Sequence, residues 1–287
     1  MIAKTDRPPV WAAPLLALQF LTRIPVPGIN ALPAEMVRVG LRQAVGWFPL
    51  VGTLIGCITA FVVAGAGEYW PRIIAVALAL IIEARMTGAF HEDAVADFCD
   101  AFGGGFTRED TLRIMKDSRV GSYGALGLIL AVGLRAALMV SLEPALLVVS
   151  IIAAATFGRL LVVILMACTP PAAVSTGLAK DIGAQVGWRQ WILALVLAAP
   201  GLALWCRDMP QSALFATCAG VAFLLWFRRL LIRRLGGSTG DCLGFSAYAG
   251  QLILLLAATI RCRSCLSATA RLRSNGADDA TDKAIPG

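Results

Sequence analysis

Nearly charge-free apolar runs alternate along the chain with polar breaks of two kinds. The runs are Gln43 to Gly67, Ile73 to Phe90, Val120 to Leu142, Pro144 to Thr169, Trp191 to Cys206, Gln211 to Phe227 and Leu243 to Ile260. Each has about the 17–25 residues that a bilayer requires of a helix. The pattern predicts an all-α fold, a polytopic integral membrane bundle of about seven transmembrane helices. Trp11 to Leu21 is apolar but too short to span, and is expected to form an interfacial or half-inserted helix. Without a clear cleavage site, the segment does not read as a signal peptide.

Composition agrees with the pattern. Of 287 residues, 58% are hydrophobic and 15% charged, whereas soluble domains run near 45–50% and about 25%. No polar linker divides the apolar runs, so residues 1–263 are expected to form one membrane-embedded domain. The Ser-, Ala- and Asp-rich stretch 264–287 is expected to be a disordered tail. The net charge of +7 suits an anionic leaflet and membrane lipid. No Lys/Arg run interleaved with aromatics points to nucleic acid.

The breaks sort into two sets. Glu68 to Arg72, the surroundings of Glu143-Pro144, and Arg207 to Pro210 are short. Arg23 to Arg42, His91 to Arg119, Thr169 to Arg189 and Arg228 to Asp241 are longer and basic, which places them in the cytoplasm by the positive-inside rule. The strongest vote is Arg228, Arg229, Arg233 and Arg234. Seven spans then put Arg261, Arg263, Arg271 and Arg273 outside, against that rule, unless the last segment is re-entrant. Cys57, Cys168, Cys206 and Cys218 lie in apolar runs and are expected to act as small core hydrophobes. Cys262 and Cys265 form a lone CxxC with no second pair, which does not make a zinc site.

The unusual polar residues gather on the predicted cytoplasmic side. In His91-Glu-Asp-Ala-Val-Ala-Asp-Phe-Cys-Asp100 the carboxylates of Asp93, Asp97 and Asp100 recur at i, i+4 and i+7. On a helix they share a sector roughly 60° wide. Stacked like charges repel, and a divalent cation removes that repulsion while leaving positions for substrate phosphates. The stripe therefore points to Mg²⁺-assisted phosphoryl or pyrophosphate chemistry. Gly103-Gly104-Gly105 could bring backbone N–H groups to an anion, or simply end a helix. Thr107 is a good N-cap for a short helix bearing Arg113, Lys116 and Asp117 and ending near Arg119. Arg113 and Lys116 are one turn apart and could clamp a phosphate, or lie solvated at the lipid surface.

The second cluster, Gly236-Gly237-Ser238-Thr239-Gly240-Asp241, reads as a phosphate- or metal-facing loop or as a tight interhelical turn. Three apolar runs carry charge. Glu83 and Arg85 could pair with each other or face the site. Arg159 interrupts its run centrally, where a charge costs about 2.5–3.5 kcal/mol and a site role is expected. Arg135, nearer the outer end, is expected to be structural and to snorkel. His91, the one histidine, could serve as base, ligand or phosphate donor, or bond to backbone at a helix end.

The residues carry a resemblance. His91 to Asp100 is similar to the H-x-D-G-x-A-D-x-x-D-G motif of adenosylcobinamide-GDP ribazoletransferases, the cobalamin synthases of vitamin B12 assembly. The likeness continues through Gly103 to Gly105, Arg108-Glu109 and Ile114 to Gly124, and resumes at Gly236 to Gly244. Phe20 to Pro27 resembles the family's N-terminal signature, Gly158-Arg159 its intramembrane Ser-Arg, and Pro170-Pro171-Ala172 with Gly177-Leu178 a later loop. Ala94, Ala101, Ala173, Tyr248 and Gln251 depart from the usual residues, the last two replacing frequent glutamates.

The resemblance implies a transferase of the bacterial inner membrane. It would join adenosylcobinamide-GDP to α-ribazole or α-ribazole 5′-phosphate and release GMP. It implies Mg²⁺ held by Asp93, Asp97, Asp100 and Asp241, with Arg113, Lys116, Arg119 and Arg159 neutralising the diphosphate. Gly103, Gly104, Gly237 and Thr239 would face phosphate, and Asp100 or His91 would take the hydroxyl proton. A homo-oligomer is compatible with this reading. Competing classes are a CDP-alcohol-type phosphotransferase, whose DG-x-x-AR run is absent because Asp97 follows Ala96, and a polytopic transporter, which would place its polar breaks at the midplane.

Overall fold

The computed structural model describes residues 8–172 and 186–260. The expectations for Ala173, Gly177, Leu178, Cys262, Cys265 and the tail arginines fall outside those residues. The chain is a polytopic helical membrane protein. Its helices are α1 (Ala12–Leu21), α2 (Ala34–Ala44), α3 (Phe48–Gly67), α4 (Arg72–Thr87), α5 (Phe90–Gly104) and α6 (Arg108–Met115). There follow α7 (Ser122–Ser141), α8 (Pro144–Cys168), α9 (Trp188–Asp208), α10 (Pro210–Leu235) and α11 (Gly240–Ala258). Among the described residues six helices are long and apolar enough to cross a membrane, and the bent pair α4–α5 offers a seventh crossing. Large apolar side chains such as Ile73, Ile81, Ile129, Leu130, Leu214 and Phe215 are exposed on these helices, as lipid-facing surfaces require.

The expected run from Ile73 to Phe90 stops short. Gly88 and Ala89 both adopt left-handed backbone, at φ 73° and 56°, and α5 leaves α4 at 88°. Glycine takes that conformation freely, whereas Ala89 does so against its Cβ. The polar stretch beyond holds the two helices that the aspartate spacing and the Thr107 cap imply, α5 and α6. Its acidic helix packs between α7 and α11. Thr107 caps α6 as expected, accepting from the Asp110 N–H at 3.1 Å. The run predicted to end at Phe227 continues as helix to Leu235, because its arginines are good helix formers beyond the apolar segment.

Helix α8 is the central post. It meets α3 where Gly52 and Gly56 lie against Ala155 and Ile152, and α11 where Gly158 lies against Ala247. Small residues let backbones approach in this way between membrane helices, where packing rather than water exclusion drives association. Cys57, Cys168, Cys206 and Cys218 are exposed rather than core residues, since their helices turn those positions to the outside of the bundle.

The charges within the apolar runs also differ from expectation. Arg135 does not snorkel. It is buried and donates to both Glu83 oxygens at 2.9 and 2.7 Å, and Glu83 accepts a further bond from Thr59 at 2.8 Å. Arg85 is exposed. At the far end of α4, Arg72 donates to the carbonyls of Val140 and Leu142 at 3.1 and 2.7 Å, closing the C-terminus of α7.

Candidate functional site

Helix α5 presents its acidic stripe where it packs against the start of α11. Ala94 lies against Gly244, whose added Cβ would stand 2.5 Å from the Ala94 methyl. One turn on, the Phe98 and Phe245 rings stack with centroids 3.9 Å apart. These contacts bring Asp241, in the first turn of α11, near enough to Asp93 and Asp97 for their charges to interact. The Asp97 carboxyl is raised to about 6, first by its partial burial and then by the charges of Asp93, Asp241 and Asp100. Among the described residues Asp93, Asp97 and Asp241 have no cationic partner within ion-pair distance. Nor does any group of three or more His, Cys, Asp or Glu side chains stand close enough to hold a metal ion by itself.

Asp100 is differently engaged. Its two carboxylate oxygens accept the backbone N–H groups of Gly121 and Gly124, each at 2.7 Å, and so cap the start of α7. The added Cβ of either glycine would collide with that carboxylate, which explains the two glycines around Ser122-Tyr123.

The glycine-rich segments serve packing. Gly103 lies under the Tyr123 ring, and Gly104 has only Ile114 nearby. The Gly105 N–H closes α5 on Ala101 O at 3.0 Å, while Gly105 O accepts from Arg234 at 2.6 Å. Of the alternatives for Gly103 to Gly105, the structure forms the helix terminator. The loop before α11 is stitched to the end of α8. Ser238 N–H donates to Pro170 O and Ala172 N–H to Ser238 O, both at 2.9 Å. Gly237 permits that approach, since a Cβ there would stand 2.5 Å from Pro170 O. Buried Thr239 caps α11 by accepting from the Cys242 N–H at 3.3 Å, and its hydroxyl reaches Met115 Sδ at 3.1 Å. Neither Gly237 nor Thr239 is open to a phosphate here.

The predicted cations divide. Arg113 pairs with Asp110 at 3.2 Å and Arg119 with Asp117 at 2.7 Å, all on the exposed surface of α6 and its exit. Lys116, also exposed, follows α6 directly. Arg159 is instead buried, with Nη2 3.5 Å from His91 Nδ1 and Nη1 3.4 Å from Ala155 O. It therefore faces His91 at the root of α5 rather than the exposed cations of α6.

Sequence reasoning missed two features. Glu92 is largely buried and lies 4.0 Å from Arg135. Phe20, Phe48 and Phe90 line a cavity with His91 and Arg159. Phe20 belongs to the N-terminal signature, but nothing in its spacing shows that it meets residues from α3 and α5.

The sequence matches the family described as cobalamin-5-phosphate synthase over residues 13–259. It is 36% identical to the adenosylcobinamide-GDP ribazoletransferase of Leptothrix cholodnii over 259 residues, covering 83% of this chain and 93% of that protein. With the protein of the same name from Shewanella amazonensis it shares 39% identity over 248 residues, covering 84% and 92%. The Vibrio cholerae protein of that name is 36% identical over 244 residues, covering 84% and 91%. No solved structure matches the chain.

Proposed function

The chain belongs to the cobalamin-5-phosphate synthase family, and we propose that it joins adenosylcobinamide-GDP to α-ribazole or α-ribazole 5′-phosphate with release of GMP. In this transfer the ribose hydroxyl of the acceptor attacks the cobinamide-bound phosphorus. One phosphoester bond forms, the phosphoanhydride bond to GMP breaks, and the hydroxyl proton is lost. The observation that carries the reading is the approach of Asp241 to Asp93 and Asp97 from a distant part of the chain, with no cationic partner within ion-pair distance among the described residues.

That donor set fits a divalent cation whose coordination is completed by substrate. Hard carboxylate oxygens suit Mg²⁺, which commonly binds through one or two carboxylates plus phosphates. Among the described residues no three such side chains could hold an ion by themselves, so substrate oxygens would have to complete the set. Asp93, Asp97 and Asp241 would hold the ion, and its chemistry there would be to neutralise the diphosphate and the developing charge on GMP. The protein's own part is orientation. Asp100 fixes α7 against α5 through its two backbone bonds. Lys116, Arg113 and Arg119 offer exposed positive charge, the two arginines in surface pairs of small energetic weight that a phosphate can replace.

Arg228, Arg229, Arg233 and Arg234 lie in the last turns of α10, at the same end of the bundle as the carboxylates. By the positive-inside rule that end faces the cytoplasm of a bacterial inner membrane. The test is to incubate purified protein with both half-molecules and Mg²⁺. Formation of GMP and the joined corrinoid in equal amounts is expected; GMP release without joining would refute the reading.

A further inference from the structure

Helices α9 and α10 leave their shared turn at Met209 together, but α8 draws them to different faces. Gly201 of α9 lies against Thr156, and Gly220 of α10 lies against the ring of the next residue, Phe157. Successive residues of a helix point about 100° apart, so the two helices splay and leave a cleft between them. Its volume is about 230 Å³. Phe157, Leu161, Trp205, Ala216, Leu224 and Leu254 form a buried floor. The rims are exposed, with Leu195 and Cys206 on α9 and Thr217 and Val221 on α10.

The cleft runs from Cys206 to Leu195 along α9 and from Ala213 to Leu224 along α10. Either stretch rises about 16 Å, at 1.5 Å per residue. That is close to one leaflet of a hydrocarbon core about 30 Å thick. The cleft begins at the turn, at the opposite end of α10 from its arginines and hence from the carboxylates. Water finds few partners there. The Thr217 hydroxyl already donates to Ala213 O at 2.8 Å, and the Trp205 indole nitrogen is buried, whereas a buried water needs about two to four polar partners. A helix from a second copy, about 10–12 Å across, would need roughly 1,000 Å³ or more over that length. Just beyond the mouth, exposed Arg207 pairs with its neighbour Asp208 at 2.9 Å, a surface contact of small weight that leaves positive charge for an anion.

We propose that the cleft binds one acyl chain of a phospholipid from the leaflet opposite the carboxylates, with the phosphate at Arg207 and the end of the chain near Ile164. The chain supplies the packing that α9 and α10 do not give each other below their turn, in a setting where van der Waals contact is the main source of helix association.

The experiment uses the full chain in phosphatidylcholine nanodiscs doped with a photoactivatable phosphatidylcholine. Its diazirine sits either near the ester or near the terminal methyl of one acyl chain, and cross-linked residues are mapped by mass spectrometry. The near-ester label is expected on Cys206, Ala213 and Thr217, and the terminal label on Ile164, Leu195 and Leu224. Each yield should exceed that on exposed Ile129 and Leu130 of α7 at least fivefold, because a bound chain stays where a bulk chain passes. Thr217→Trp and Val221→Trp place a ring in the cleft from its exposed rim. Each should cut terminal labelling of Ile164 at least fivefold and leave α7 labelling unchanged. Cleft yields equal to those on α7, the same residues labelled from both diazirine positions, or labelling that survives both tryptophans would overturn the proposal. An intermolecular disulfide through Cys206 under mild oxidation would also overturn it, by assigning the cleft to a second copy of the chain.

Discussion

Arg135 holds Glu83 through a single guanidinium nitrogen bonded to both carboxylate oxygens, with each side chain only 3% exposed. The pair joins α4 to α7, and Glu92 stands 4.0 Å away on the acidic helix. Breaking such a pair from one side leaves an uncompensated buried charge, at a cost of about 3–5 kcal/mol. Glu83→Ala or Arg135→Ala should therefore lower the unfolding temperature in detergent sharply. The double variant Glu83→Leu with Arg135→Met should be closer to wild type than either single alanine. Equal losses in all three would argue against the pair.

Asp93→Asn and Asp97→Asn remove charge while keeping shape. Each should reduce transfer by about 10²-fold or more, since electrostatic groups at a transition state are worth that much. Expression and thermal stability should not fall, because among the described residues neither carboxylate has an ion-pair partner to lose. Near-normal turnover in either variant would remove that residue from the site.

Removal of divalent cations with EDTA should stop transfer, and Mg²⁺ should restore it. Turnover that persists after chelation would exclude the ion from the mechanism.

The Asp97 carboxyl, raised to about 6 against an ordinary value of 3.8, binds its proton more tightly in the folded than in the unfolded chain. Metal-free protein should therefore lose stability as pH rises from about 4 to about 6 and then level off. Asp97→Asn should flatten that part of the profile, and Mg²⁺ should oppose it by favouring the charged form. The check is unfolding temperature against pH with and without the ion; a metal-free profile that rises across the window would contradict the carboxylate cluster.

Gly237→Ala should separate the loop before α11 from the end of α8, because the new Cβ would press on Pro170 O and Ala172 N. Loss of both stability and transfer is expected. A fully stable variant with reduced substrate affinity alone would instead favour the phosphate-facing role that the sequence suggested.

The apolar runs and the acidic stripe were legible because each is local: span length and helical spacing are written in consecutive residues. The meeting of Asp241 with Asp97 is not local, and only the family resemblance anticipated it. Arg135 was misread for the same reason, since its depth depends on a partner some fifty positions earlier, Glu83. Gly237, Thr239 and Gly103 looked chemical because glycine and hydroxyl residues serve close packing and capping as well as anion binding. The left-handed backbone at Ala89 had no signal in its side chain.

The late position of α11 has a consequence for biosynthesis. The ribosome delivers the carboxylate-bearing helix long before the helix that will face it. The proposed site is therefore completed only once α11 has been made, so a chain truncated before Gly240 is expected to be chemically silent.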